Sequence, residues 1–119
     1  MPKVTMYYNP SKFHFLQNEL HALGLKIRPL VATATSTEDI LFTKKDIDWM
    51  VLTYPPGSIG PPLSIEIETF GFPSRKKKLN EQTVLELKKK ILSIPAFSKV
   101  DPNQPLIWVK FQDPDDVHV

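Results

Sequence analysis

Leu63-Ser64-Ile65-Glu66-Ile67-Glu68 decides how the chain is read. Apolar and polar residues alternate without a break, the period of a β-strand with one face buried and the other wet. Ser64, Glu66 and Glu68 make the wet face, so the sheet holding this strand is covered on one side only. Before it stands Pro55-Pro56-Gly57-Ser58-Ile59-Gly60-Pro61-Pro62. Proline fixes φ and lacks an N–H, so this stretch is a stiff connector rather than helix or central strand. After it, Phe70-Gly71-Phe72-Pro73-Ser74-Arg75 turns into a helix. Val84, Leu87 and Ile91, with Leu85 and Leu92 beside them, supply its buried stripe. Pro95 stops that helix, residues 96–105 form a loop, and 106–111 make a last strand. The acidic tail 113–119 is expected to fray.

The first half repeats the pattern. Val4, Met6 and Tyr8 alternate with Thr5 and Tyr7, giving a strand over 3–8. Asn9-Pro10-Ser11 predicts a helix start, since Asn or Ser caps and Pro suits the first turn. Phe13, Leu16, Leu20, Leu23 and Ile27 then recur at steps of three and four, a stripe that extends through Leu30, Val31 and Ala34. Gly24 weakens that helix, and Pro29 should kink or end it. Residues 35–46 read as loop. Ile47, Trp49 and Val51 open a second strand that runs to about Tyr54.

The expected class is therefore α+β, with tandem βαβ units and two helices on one face of a four-stranded mixed sheet. The single domain 1–119 divides into similar halves, about 1–54 and 63–112, joined by the connector 55–62; this spacing suggests internal duplication. Two helices cover only one face of such a sheet. The other face stays wet or is completed by further subunits.

Composition narrows the function classes. The 119 residues suit one domain, and 41% hydrophobic with 24% charged residues is globular usage. A net charge of +2 offers little pull on nucleic acid. The absence of cysteine excludes a disulfide scaffold, a thiol nucleophile and a cysteine-ligated metal. Residues 1–5 lack the apolar core of a signal peptide, and no apolar run approaches a membrane span. A cytoplasmic chain without a membrane partner is expected. His14 and His21 lie seven apart, as on one helix face, but no third ligand accompanies them, so no metal site is expected. Trp49 and Trp108, at alternating strand positions, read as core. Proline is the outlier, at 12 residues.

Two folds share this element order, the ferredoxin-like sandwich and the tautomerase fold. Met1-Pro2-Lys3-Val4-Thr5 sets a proline directly after the initiator and ahead of a strand. With Asp46-Ile47-Asp48-Trp49, the Pro/Gly connector, the strand from Leu63 and Phe72-Pro73-Ser74-Arg75, it resembles the tautomerase superfamily, which includes 4-oxalocrotonate tautomerase and macrophage migration inhibitory factor. The resemblance implies removal of Met1 and catalysis by the freed Pro2 nitrogen as general base, acting on a small carbonyl or carboxylate substrate in keto–enol exchange. It also implies a homotrimer with sheets inward and helices outward. No cofactor is called for.

The enolate needs a positive partner. Arg75 follows a strand and opens a helix, and its planar fork suits a carboxylate, so it is the candidate substrate-binding residue. Lys12 is the second candidate, the only cation where family members carry an arginine after the first strand. Asp48-Trp49-Met50 has no cation where they carry another. Two alternatives stand beside the enzyme: a catalytically inactive trimer of the same fold, and a ferredoxin-like binding module. An RNA-binding sheet is disfavoured because Glu66 and Glu68 would repel phosphates.

Overall fold

Strands β1 (Lys3–Tyr8) and β3 (Leu63–Phe70) pair antiparallel at the centre of one sheet, Lys3 opposite Glu68 and Tyr8 opposite Leu63. The computed structural model describes residues 2–38, 40–101, 103 and 105–112. Met1, Asp39, Pro102, Gln104 and the acidic tail 113–119 lie outside the described residues. Strand β2 (Asp48–Thr53) adds parallel to β1, and β4 (Leu106–Gln112) adds parallel to β3, giving the order β2-β1-β3-β4. Helix α1 (Gln17–Thr35) crosses from β1 to β2; α2 (Pro73–Lys78) and α3 (Glu81–Leu92) cross from β3 to β4. In a ferredoxin-like sheet each βαβ unit is split by an intervening strand. Here each unit's two strands are neighbours, so that alternative is excluded.

Alternation sorts the side chains as expected. Val4, Met6, Tyr8, Leu63, Ile65, Ile67 and Ile107 point to the helices and are buried. Against them pack Leu23, Ile27 and Val31 of α1 and Leu87 and Ile91 of α3. Burying each such side chain is worth about 1.5–3 kcal/mol. The opposite face carries cross-strand rows, Met50–Thr5–Glu66–Trp108 and Asp48–Lys3–Glu68–Lys110. Trp108 is 46% exposed on this open face, not in the core. Ile107 and Val109 take the core-facing positions on either side of it.

Three local expectations are corrected. Asn9 does not start a helix. Its side-chain oxygen accepts from the Ser11 N–H at 2.9 Å and the Ser11 hydroxyl at 2.7 Å, closing a tight turn. The chain then stays non-helical to Leu16, with Phe15 packed edge-on against Tyr8 and Phe97. The helix begins at Gln17, where the Glu19 carboxylate accepts the Leu16 N–H at 3.0 Å. His14 therefore lies outside the helix and shares no face of it with His21.

Pro29 does not end α1, which continues to Thr35. The bond that Pro29 cannot donate would go to Leu25, half-exposed on the solvent side, while Val31, Ala32 and Thr35 carry the buried stripe onward. The helix read after Arg75 is two helices. Asn80 interrupts them and caps the second, accepting the Thr83 N–H at 2.9 Å.

Gly24 faces the Trp49 indole across the α1–β2 contact. A Cβ there would lie 2.6 Å from Trp49 Cδ1 and 2.7 Å from its Nε1. Gly24→Ala should lower stability by about 1–3 kcal/mol despite the better helix propensity of alanine, because the ring must move. Denaturant unfolding followed by tryptophan fluorescence checks this; a stabilised variant would contradict the packing.

Candidate functional site

The N-terminal end of β1 gathers the first group of candidate residues. Pro2 is buried, and its carbonyl accepts the Asp48 N–H at 3.2 Å. Extending the β1–β3 register by one residue sets Pro2 opposite Thr69. Thr69 is buried too, and its hydroxyl accepts Arg75 Nη1 at 2.8 Å. Pro2 and Arg75 therefore occupy the same end of the sheet, although 73 residues of sequence separate them.

Arg75 is only 2% exposed. Its Nε donates to the Thr35 carbonyl at 3.2 Å, and Nη1 also reaches the Phe70 carbonyl at 3.2 Å. The guanidinium lies 4.9 Å from the Phe42 ring centre and 5.6 Å from that of Phe72. Burial pulls its pKa below the usual guanidinium value; arginine starts so high that it stays charged. Nη2 makes no hydrogen bond among the described residues. Arg75 also lines a cavity of about 380 Å³ with Thr37, Ile40, Phe72, Pro73 and Ser74. The guanidinium thus anchors three backbone or hydroxyl oxygens.

The rest of the cationic run has separate tasks. Lys78 Nζ reaches the Thr33 carbonyl at 2.8 Å and also the Ser36 carbonyl. Arg75 and Lys78 together bond the Thr33 and Thr35 carbonyls at the C-terminus of α1, a helix with no basic residue of its own in the last turn. Sequence reading missed this because the donors stand forty or more residues from the acceptors. Lys12 is exposed at the other end of β1, where its N–H donates to the Asn9 carbonyl. The six residues of β1 span about 20 Å, so one chain does not bring Lys12 to Pro2.

A second cluster lies on the open sheet face at the connector end. Tyr7 and Tyr54 stack with ring centres 6.0 Å apart, and the Tyr54 hydroxyl lies 2.7 Å from Ser64 Oγ. Burial first, then the Glu66 carboxylate and Tyr54, raise the Tyr7 pKa, so its phenol stays protonated at neutral pH. These rings, Ser64, Glu66 and Trp108 border a cleft of about 320 Å³ beneath Ile59, Gly60 and Pro61. Alternation puts Tyr7, Ser64 and Glu66 on the wet faces of their strands, while Trp108, expected in the core, joins them through the β3–β4 register. Among the described residues, no group of three or more His, Asp or Glu is placed to hold a metal. No helix among them is long and apolar enough to cross a membrane.

Removing the Arg75 fork should be costly whatever the protein binds. Arg75→Ala leaves three oxygens without their donor, and at about 1–3 kcal/mol for each buried orphan it should lose about 3 kcal/mol or more. Arg75→Lys, which keeps the charge without the fork, should fall between. Urea unfolding of both variants checks the order; an alanine variant as stable as the parent would contradict it.

No family model matches the chain, and no curated protein matches it in sequence. Solved structures do match in shape. A fused 4-OT, solved as an asymmetric trimer, superposes with a TM-score of 0.65 at 14% identity, over 98% of this chain and 91% of that one. A macrophage migration inhibitory factor-like protein from Entamoeba histolytica gives 0.66 at 9% identity, over 99% and 94%. Malonate semialdehyde decarboxylase gives 0.63 at 8% identity, over 97% and 88%. At these identities the likeness is one of architecture. The parallel βαβ units, their antiparallel junction and near-complete superposition together give this chain the fold of the tautomerase superfamily.

Proposed function

We propose that this protein is a tautomerase-type enzyme in which Pro2, freed by removal of Met1, acts as general base on a small keto or enol acid. The observation that supports this reading is that Pro2 lies opposite Thr69, whose hydroxyl holds Arg75, so that both residues belong to one end of the sheet. A backbone amide nitrogen is not basic, so the chemistry requires the free secondary amine. An ordinary α-amino group titrates near 7.7–8.0, and a proline amine starts higher. Burial of a freed Pro2 amine and a guanidinium at the same end of the sheet would both disfavour its protonated form, the direction a general base at neutral pH requires. The neutral amine removes a proton from the carbon beside a carbonyl and returns it elsewhere. Arg75 Nη2 holds the substrate carboxylate or the developing enolate oxygen in the adjoining cavity.

Assembly belongs to the same reading. The open face exposes Met50, Leu52 and Trp108, a poor surface for an isolated chain. A homotrimer with sheets inward covers it, and one of the matched structures is a trimer. Lys12 reaches a substrate at Pro2 only from a neighbouring copy, so its part in binding depends on this assembly. The absence of cysteine supports a cytoplasmic setting.

Three measurements test the proposal. Natively produced protein should have an intact mass lacking Met1; retained Met1 removes the base. Phenylenolpyruvate ketonisation should be accelerated by the wild type and fall about a hundredfold in Pro2→Ala, within the range for loss of a general base. Equal rates would remove Pro2 from the chemistry. Light scattering should give three chains per particle, and a stable monomer would contradict the assembly.

A further inference from the structure

Thr69 carries a buried proton that the fold leaves unspent. The residue is 2% exposed, and its hydroxyl accepts Arg75 Nη1 at 2.8 Å. A hydroxyl has one proton to donate besides its lone pairs. Among the described residues, no hydrogen bond takes the Thr69 proton. The register shows what stands before it. Thr69 shares its face of β3 with Ile67, and Pro2 shares its face of β1 with Val4, so both lie on the helix side of the sheet. The sheets-inward assembly therefore leaves the pair as it is. The Pro2 carbonyl accepts the Asp48 N–H, which turns its backbone toward β2. Across β1 and β3, Pro2 and Thr69 thus form a non-hydrogen-bonded pair. In such pairs the Cα atoms approach to about 4.5 Å and the side chains lie closest. With Met1 attached, the Pro2 nitrogen is an amide and accepts nothing. Removal of Met1 creates a lone pair there, one new acceptor for one unspent donor.

We propose that Thr69 is a positioning residue for the base: its hydroxyl donates to the freed Pro2 nitrogen and holds that nitrogen neutral, an inference that rests on the Pro2 reading above. Arg75 acts through it. A guanidinium bonded to the Thr69 oxygen polarises the O–H and strengthens it as a donor. The same cation makes that oxygen a poor acceptor for a second cation, the protonated amine. A bond donated to the neutral amine favours that form and lowers the pKa. The proton stays on Thr69 throughout. The other charges around Pro2 are placed differently. Lys3, Asp48 and Glu68 share one row on the opposite face of the sheet. Asp46, ahead of β2, accepts the Thr43 N–H at 2.8 Å, and Lys78 of α2 bonds the end of α1. Arg75 is the charged group tied to the Pro2 side of β3.

The test uses native protein carrying proline labelled with the NMR-active nitrogen isotope. A freed Pro2 is a secondary amine among amides, so its resonance stands apart and its titration midpoint is read without turnover. Thr69→Val removes the hydroxyl at nearly constant shape and leaves Arg75 its Thr35 and Phe70 carbonyls. It should raise the midpoint by about one pH unit, so that below the midpoint the neutral fraction falls about tenfold. Thr69→Ser keeps the hydroxyl and should return the midpoint to within about 0.3 of the wild type. Gly24→Ala, which disturbs the α1–β2 contact instead, should leave it unchanged. In the wild type itself, the Thr69 hydroxyl proton should exchange slowly, show a nuclear Overhauser contact to the Pro2 ring and shift as Pro2 titrates, a readout that needs no variant to fold. An unmoved midpoint in Thr69→Val, an equal rise in Gly24→Ala, or a hydroxyl proton indifferent to the titration would overturn the proposal. A titrating Pro2 with an unmoved midpoint removes Thr69 alone; a Pro2 nitrogen that never titrates removes the proline base as well.

Discussion

The antiparallel pairing of β1 with β3 is the constraint on which the rest depends. Each βαβ unit alone has an apolar face too small to form a core. Joined through Val4, Met6, Ile65 and Ile67, they make one sheet with a single covered face. The same register sets Pro2 across from Thr69, and so within one side chain of Arg75. It also sets Glu66 between Thr5 and Trp108, away from the row that holds Lys3 and Lys110. A slip of one residue would turn every strand side chain to the other face and dissolve both clusters together.

Arg75 couples this frame to the proposed chemistry. Its hydrogen bonds run to the end of α1 and to the end of β3, so one guanidinium ties the two halves where Pro2 emerges. A buried cation is expensive unless it is well bonded, and here the bonds come from oxygens that the helix and strand ends leave without partners. The residue also lines a cavity with Thr37, Ile40 and Phe72. Holding the fold and receiving an anion are compatible because arginine presents its donors as a rigid fork. A lysine could not divide the two tasks between separate nitrogens.

Much of the fold was legible in the sequence because strands announce themselves by strict alternation. Leu63 to Glu68 gave the sheet and its wet face, and the prolines of 55–62 marked the junction of the halves. The errors lie where one residue serves a purpose that periodicity does not register. Asn9 resembles a helix cap but closes a turn on Ser11, and the aromatic contacts of Phe15 keep the next residues out of the helix. Pro29 is tolerated because the missing bond falls on the solvent side. Asn80 splits a stripe that looks continuous. At the site, Pro2 and Arg75 were named from motif alone. Their proximity depends on register, and the interior bonding of Arg75 depends on partners such as Thr35, forty residues away. The wet-face places of Tyr7, Ser64 and Glu66 were readable, but that of Trp108, expected in the core, and the approach of Tyr54 were not.

The central claim concerns the nitrogen of Pro2, and covalent capture tests it most directly. The native protein is treated with an activated alkynoate, which a neutral secondary amine attacks and an amide does not. Intact mass and peptide sequencing then locate the adduct. The account predicts one equivalent per chain on a Pro2 that has lost Met1. Protein that remains unmodified, or that is modified only on lysine, would contradict it.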